Sequence, residues 1–284
     1  MISKTDEYMF DLQGYLVLKG AVSMTNIAEL NSALEAIPRI EPGQWYGYVH
    51  RENFEASRGI AFQQIYEAGE PFERLIDHPA WIEHVKTFIG GEGTFDYTHG
   101  ALFMDENFAA IRGPGEAIGL HSGGYKVPKH TQYEYRHGGF ACGQVNILLS
   151  LADIGPGDGS TMVVPGSHKS NLPHPQAGEK SNEGSSVDNT MGAIEVHTKA
   201  GDAILFVDAI CHGSARRVNP GERRFIVYRY VSGWSRFRFG YYPSEELLAR
   251  LTPERRAIVN PFPFWSRTPN TKPGFRDEMP IAST

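Results

Sequence analysis

The sequence predicts a mainly β protein, built as an antiparallel sandwich or barrel. Several segments are short, rich in β-branched or aromatic residues, and bounded by Gly, Pro, Asp or Ser: 101–104, 143–151, 161–164, 203–207 and 225–231. Many short strands separated by such turns are typical of antiparallel sheets rather than of alternating β-α units. A chain of 284 residues can form one such domain, and no stretch in its middle has the composition of a linker. We therefore expect a single domain over residues 1–284.

The chain begins with a predicted strand and a predicted helix. An apolar, β-prone stretch covers Tyr15 to Leu18. It is followed by apolar residues at the three-and-four spacing of a helix, namely Ile27, Leu30, Leu34 and Ile37. Segments 107–142 and 166–191 lack a regular apolar pattern, and long irregular segments in compact domains are often functional. We expect both to be lid loops.

Composition and charge exclude several classes of function. The formal net charge is −6, and the 27 Lys and Arg residues are scattered, so no basic stripe indicates nucleic acid or an anionic membrane as a partner. No apolar run approaches the roughly 20 residues that span a bilayer, and no signal-peptide pattern is present. Cys142 and Cys211 are too few for a disulfide framework. We expect a soluble, cytoplasmic protein that acts on a small molecule.

Two histidines and one arginine form the candidate site. His121 precedes Ser-Gly-Gly, and His212 follows the apolar segment 203–207. Two histidines and one carboxylate on one face of the metal are typical of non-haem iron oxygenases, although either histidine alone could equally be a loop or core residue. Arg223 opens the next strand, where its guanidinium could enter a barrel and pair bidentately with a carboxylate. The adjacent Arg224 is a competitor for this role.

Taken together, these features resemble the phytanoyl-CoA dioxygenase-like family of Fe(II)/2-oxoglutarate-dependent oxygenases. The opening FDLQGYLVLKGAVS, the segment LADIGPGDGSTMVVPGSHK, and His212-Gly-Ser followed by Arg223 are similar to patterns of that family. The resemblance covers nearly the whole chain. It implies a double-stranded β-helix, a cupin-like jelly roll with flanking helices and long loops, whose open end holds iron. His168, in the Pro-Gly-Ser-His turn, is expected to be structural.

The resemblance also implies a role for each candidate residue. The expected Fe(II) ligands are His121 and His212. Arg223 would pair with the distal carboxylate of 2-oxoglutarate, and Ser214 would add a second hydrogen bond. The remaining cosubstrates and partners are molecular oxygen and a small-molecule substrate with an aliphatic C–H bond.

Gln144 and Asn146 share one face of a predicted strand, because side chains alternate with period two. In the family that this chain resembles, the inner face of that strand borders the cosubstrate. Both residues are therefore candidates to bind 2-oxoglutarate or substrate. Equally, they could satisfy polar groups inside the barrel, because buried amides need hydrogen-bond partners.

Gly123 stands where the family has Asp or Glu. The vacant coordination position could accept chloride, and halogenases of this superfamily resemble the chain in having Gly or Ala there, so the sequence suggests halogenation. A hydroxylase or other oxygenase is the alternative, with water or a carboxylate from Glu116, Glu134 or Asp153 completing the site. A non-catalytic ligand-binding jelly roll is the third possibility. Asp105 stands where the family often has a lysine, which weakens any inference that the substrate is a fatty acyl-CoA.

Overall fold

The computed structural model describes residues 2–53, 59–91, 100–115, 117–121, 133–176, 190–238 and 240–260. Its helices are α1 (Lys4–Gln13), α2 (Met24–Glu35), α3 (Glu70–Glu73), α4 (Ile82–Ile89), α5 (Glu245–Arg250) and α6 (Pro253–Val259). Its strands are β1 (Tyr15–Leu18), β2 (Trp45–Tyr46), β3 (Val49–Arg51), β4 (Ile60–Gln63), β5 (Leu102–Arg112), β6 (Ile118–His121), β7 (Tyr133–Arg136), β8 (Gly139–Cys142), β9 (Gln144–Ser150), β10 (Thr161–Val163), β11 (Ile194–Val196), β12 (Ala203–Val207), β13 (His212–Ser214) and β14 (Arg223–Ser232). Within these ranges, no helix has the length and apolar character needed to cross a membrane.

The strands form two main antiparallel sheets with a cavity between them. The larger sheet has eight strands in the order β1-β12-β9-β14-β5-β4-β3-β2, and the smaller has four in the order β11-β10-β13-β6. Strands β7 and β8 form a separate hairpin. The chain crosses repeatedly from one sheet to the other, which gives the jelly-roll arrangement of a double-stranded β-helix. The fold class expected from the sequence is therefore confirmed.

The central strands of the larger sheet are covered on both faces. Every residue of β9 and of β12 is buried; β12 is accordingly a continuous apolar run, whereas β9 also buries the polar residues Gln144, Asn146 and Ser150. Helix α4 packs on β9 and β14 from outside. Helix α2 begins after Ser23, whose hydroxyl accepts a hydrogen bond from the backbone N–H of Asn26. It buries Ile27, Leu30 and Leu34 as the spacing predicted, whereas Ile37 is buried beyond the end of the helix.

Helix α1 was not predicted from the sequence. It begins after Ser3, whose hydroxyl accepts from the backbone N–H of Asp6, and it ends at Gly14, which adopts the left-handed φ of 82°. Of its ten residues only Phe10 is fully buried, so the helix carries no apolar stripe that a periodicity search would find. The capping residues were its only local signal.

The predicted lid loop at 107–142 is largely strand where the structure describes it. Strand β5 continues to Arg112, and β6, β7 and β8 follow. The prediction was wrong here because the inner face of β5 carries Glu106 and Arg112, which line the cavity between the sheets, so the strand lacks the apolar alternation of an ordinary strand. The described part of 166–191 is irregular apart from one short 3-10 turn, Ser167–Lys169. Residues 116, 122–132 and 177–189 lie outside the description.

The Pro-Gly-Ser-His turn holds the N-terminal helix against the sheets. The Nε2 atom of the buried His168 ring lies 3.0 Å from the backbone carbonyl oxygen of Asp11. A Cβ at Gly14 would lie 2.5 Å from Nδ1 of the same ring, so glycine is required there for packing as well as for its positive φ. This geometry is that of a structural histidine, as the sequence suggested.

Candidate active site

The two candidate metal ligands are direct neighbours across a pair of strands. His121 on β6 and His212 on β13 are register partners, with a bulge between His212 and Ser214. Their ring centroids are 4.3 Å apart, and both residues line a cavity of about 310 Å³ between the two main sheets. Gly213 allows this close pairing, because a Cβ at that position would collide with the backbone carbonyl of Ile118. Two stretches of sequence far apart in the chain thus converge on one point.

Backbone carbonyls fix the tautomer of both imidazoles. Nδ1 of His121 lies 2.9 Å from the carbonyl oxygen of Gly119, and Nδ1 of His212 lies 2.8 Å from that of Ile210. Since a carbonyl only accepts, Nδ1 must carry the hydrogen in each ring, and Nε2 keeps its lone pair. No hydrogen-bond partner for either Nε2 occurs among the residues that the structure describes. A neutral imidazole oriented in this way is the usual histidine metal ligand.

The surroundings keep both rings neutral. Burial, followed by repulsion from His121, lowers the pKa of His212 to about 3. Burial also lowers the pKa of His121, although that residue has an exposed face. At neutral pH both histidines are therefore in the form that binds a metal ion.

One end of the cavity is strongly cationic. Arg223 and Arg112 are directly opposite each other on β14 and β5, an arrangement that is unfavourable without an anion nearby. The Arg223 side chain donates from Nη1 to the Gly159 carbonyl at 2.6 Å and from Nη2 to Thr161 Oγ1 at 2.8 Å, whereas Nε has no partner among the described residues. Burial, together with repulsion from Arg112 and Arg217, lowers the pKa of Arg223 to about 9, which still leaves it charged at neutral pH.

Ser214 lies at the same end, and Arg224 does not. The Ser214 hydroxyl accepts hydrogen bonds from Arg112 Nη1 at 2.8 Å and from the backbone N–H of Ile118 at 3.2 Å. Arg224 points to the opposite face of β14, where it binds Glu222 and Glu35 at 2.8 and 2.7 Å. The structure therefore places Arg223, rather than its neighbour, in the cavity.

The other end of the cavity contains a buried ionic network. Arg229 shares the inner face of β14 with Arg223 and lies six residues further on, which separates the two by roughly 20 Å of extended strand. Arg229 pairs with Glu106 at 2.9 Å and with Asp208 at 3.0 Å, and Arg238 approaches Asp208 at 3.2 Å. Burial alone would raise the pKa of Asp208, but the two arginines lower it, so this fully buried carboxyl is ionised.

Gln144 and Asn146 belong to this network. Asn146 donates to Asp208 at 2.9 Å, and Gln144 donates to Asn146 at 2.9 Å. Both amides are completely buried, and of the inner-face residues of β9 it is Leu148 that lines the cavity. In this geometry the two amides hold Asp208 in place, four residues before His212. Sequence reasoning missed Asp208, because one acidic residue after an apolar strand has the appearance of an ordinary turn residue.

No carboxylate completes the histidine pair in the described part of the chain, where no three His, Cys, Asp or Glu side chains are close enough to hold a metal ion. Asp153 is an exposed residue paired with Lys199, and Glu134 is an exposed residue paired with Arg136. Gly123 and Glu116 lie outside the described residues.

A jelly roll that brings a buried arginine and two imidazoles, whose Nε2 atoms have no hydrogen-bond partner among the described residues, to one cavity has the architecture of a non-haem metal oxygenase. The family model described as phytanoyl-CoA dioxygenase (PhyH) matches residues 10–225. The chain belongs to this family of Fe(II)/2-oxoglutarate-dependent oxygenases, which confirms the resemblance drawn from the sequence.

Individual relatives are distant in sequence but similar over most of their length. The dioxygenase cdmD of Talaromyces verruculosus is 22% identical over 276 residues, which cover 89% of this chain and 84% of cdmD. HygX from Streptomyces hygroscopicus, solved with nickel and 2-oxoglutarate bound, has a TM-score of 0.66 and 22% identity, covering 91% of this chain and 96% of HygX. The epimerase SnoN from nogalamycin biosynthesis, described as non-heme and α-ketoglutarate dependent, has a TM-score of 0.55 and 16% identity, with coverages of 79% and 81%.

Proposed function

We propose that this protein is an Fe(II)- and 2-oxoglutarate-dependent enzyme that uses molecular oxygen to oxidise an aliphatic C–H bond of a small molecule. One observation carries the proposal: the paired histidines share a cavity with a buried arginine that has no carboxylate partner among the described residues. A buried cation without an anion is costly, so this end of the cavity favours a carboxylate ligand. The distal carboxylate of 2-oxoglutarate has the required charge and shape.

The donor set fits a ferrous ion. His121 and His212 would hold it through Nε2, and their Nδ1 bonds to backbone carbonyls would keep the rings aimed at it. When bound, iron with 2-oxoglutarate and oxygen supplies the oxidising power that no amino-acid side chain has. The protein binds the cosubstrate through Arg223, and its apolar walls, including Phe206 and Val227, keep water from the reacting groups.

Two observations favour different outcomes of this oxidation. Gly123 favours halogenation, because a missing carboxylate leaves a coordination position and a charge deficit that chloride can fill. Asp208 favours hydroxylation. Burial lowers the pKa of His212, and Asp208 opposes that shift more strongly than Arg229 reinforces it, so a negative charge acts on this histidine without a halide, whereas at His121 Arg229 has the larger effect.

An anaerobic spectroscopic titration tests the proposal. Protein reduced and loaded with Fe(II) should develop a weak visible charge-transfer band when 2-oxoglutarate is added, and His212→Ala should not. A ligand-binding jelly roll without catalytic function would show no band and no iron-dependent consumption of 2-oxoglutarate. Chloride should shift the band if halide enters the coordination sphere, whereas a band that is indifferent to chloride supports hydroxylation.

A further inference from the structure

A second cavity adjoins the metal cavity at the Arg229 end. Its volume is about 280 Å³, and it shares four lining residues with the metal cavity, namely Glu52, Gln63, Glu106 and Arg238. We call it the acidic cavity. Because the two spaces have common walls, one ligand can occupy both, with one group near the histidines and another in the acidic cavity.

The charges around the acidic cavity are predominantly negative. Its described lining includes the carboxyl groups of Glu52, Asp105 and Glu106, whereas its arginine, Arg238, is already paired with Asp208. Glu52 forms no salt bridge with any described residue. A single amide nitrogen, Gln63 Nε2, lies between two of these carboxylates, at 2.8 Å from Glu52 Oε1 and 3.0 Å from Glu106 Oε1. The amide cannot neutralise Glu52, whereas Glu106 is paired with Arg229 and Asp105 accepts hydrogen bonds from the backbone N–H groups of Phe237 and Arg238. The uncompensated charge is therefore that of Glu52, and it makes the cavity favourable for a cation.

A buried acceptor in the same wall lacks a donor. Gln64 is 4% exposed and lines the acidic cavity. Its Nε2 donates to the Tyr48 carbonyl at 3.1 Å, but Oε1 has no partner in the described chain. The backbone of Gln64 is in the left-handed region, with φ at 56°, which non-glycine residues seldom adopt without a functional or packing reason. A ligand N–H or O–H group would satisfy this oxygen.

Aromatic rings lie beside the carboxylates. Tyr241 lines the acidic cavity and shares a 2.8 Å hydrogen bond with His50 Nδ1. The ring of Trp45 meets that of Tyr241 edge-on at 5.5 Å between centroids, and Trp45 is 49% exposed. Carboxylates combined with accessible aromatic faces are the surroundings that bind ammonium groups.

We propose that the acidic cavity is a substrate subsite that binds the protonated amine of a small, hydrogen-bonding substrate. With the amine held there, another carbon of the same molecule lies in the metal cavity. The identity of that carbon as the site of oxidation rests on the function proposed above. The binding of the amine does not, because none of the residues that form the subsite is a metal ligand.

Amine binding is tested on metal-free protein without 2-oxoglutarate. The probes are D-glucosamine, N-acetyl-D-glucosamine and D-glucose, which share a hydroxylated ring and differ in whether they carry a cationic amine. Affinities are measured by saturation-transfer NMR and calorimetry at millimolar probe concentrations. Glucosamine should bind at least about tenfold more tightly than either neutral sugar, because hydrogen bonds to charged groups are the stronger ones. Equal affinities, or no binding of glucosamine, would overturn the proposal.

A matched pair of variants locates the effect. Glu52→Gln keeps the shape and the contact with Gln63 but removes the unpaired charge, so it should remove the preference for glucosamine. Glu83→Gln, at an exposed residue on α4 that pairs with Lys86, should leave that preference unchanged. A preference that survives Glu52→Gln contradicts the assignment. If Glu52→Gln does not fold, the comparison of probes on the unaltered protein still decides. If glucosamine binds but no iron-dependent band develops, the proposed oxygenase function is refuted and the amine subsite stands. If the band develops but glucosamine is not preferred, only the amine subsite is refuted.

Discussion

Replacement of Arg223 by alanine should weaken 2-oxoglutarate binding far more than it weakens metal binding. Arg223 is 3% exposed, and two of its guanidinium nitrogens are fixed by Gly159 and Thr161. A cosubstrate carboxylate at this end would gain a buried, charge-assisted contact. Removal of one partner from such a pair costs about 2–5 kcal/mol, and a loss of about 3 kcal/mol corresponds to a roughly 150-fold weaker affinity.

Isothermal titration calorimetry provides the measurement. 2-Oxoglutarate is titrated into protein loaded with Ni(II), which does not turn over and which is bound together with 2-oxoglutarate in the HygX structure. Arg224→Ala is the matched control. It removes the pairs with Glu222 and Glu35 and a long hydrogen bond to Asn31, all on the outer face, and such surface pairs contribute about 1 kcal/mol or less to stability. Its affinity for 2-oxoglutarate should be unchanged.

Two results would refute this reasoning. If Arg224→Ala weakens 2-oxoglutarate binding and Arg223→Ala does not, the anchor lies one residue further along the chain. If neither variant weakens 2-oxoglutarate binding, the cationic end of the cavity does not bind the cosubstrate. Because alanine also removes the contacts with Gly159 and Thr161, thermal unfolding must accompany the titration. Arg223→Lys, which keeps the charge without the two-pronged geometry, should give an intermediate affinity.

Three further changes test other parts of the site. Gly213→Ala should lower the free energy of unfolding by about 1–3 kcal/mol, because its methyl group meets the Ile118 carbonyl, and unchanged urea denaturation would contradict the strand pairing described. Asp208→Asn removes the buried carboxylate that Arg229 and Arg238 share, leaves Arg229 with Glu106 alone, and should cost about 3 kcal/mol at pH 7. The folded-state pKa of Asp208 is lowered from 3.8, so its contribution to stability is present above that pH and is lost as the pH falls further. The difference in urea stability between the unaltered protein and Asp208→Asn should therefore shrink on acidification. A constant difference would refute the assignment. Gly123→Asp should abolish any effect of chloride on the Fe(II)/2-oxoglutarate band, and a persistent effect would place halide elsewhere.

Much of the fold could be predicted because its strands have strong local signals. The segments 203–207 and 225–231 are apolar and bounded by turn residues, and both are strands at nearly those positions. Strand β5 was recognised only at its start, because its inner face carries the charged residues Glu106 and Arg112, which line the cavity between the sheets. Such residues are favourable only in tertiary context, which a local pattern does not contain.

For the site, the sequence predicted which residues take part better than it predicted which residues contact one another. The convergence of His121 and His212 depends on a cross-strand register that no local rule specifies, and only the resemblance to a known family suggested it. Arg112 and Asp208 were missed, since each acts through contacts with residues far along the chain. Charge pairing between distant strands follows from topology, and the topology was predicted only as a class.

Strand β6 is the last strand of the smaller sheet, and β13 is its neighbour there. A slip of one residue in that pairing would turn the His121 imidazole to the opposite face. A metal ion bound by both rings would therefore stabilise the native register of this edge strand, since a ligand that binds only the native form stabilises that form. Amide hydrogens of β6 should exchange with deuterium more slowly in the metal-loaded protein than in the apoprotein.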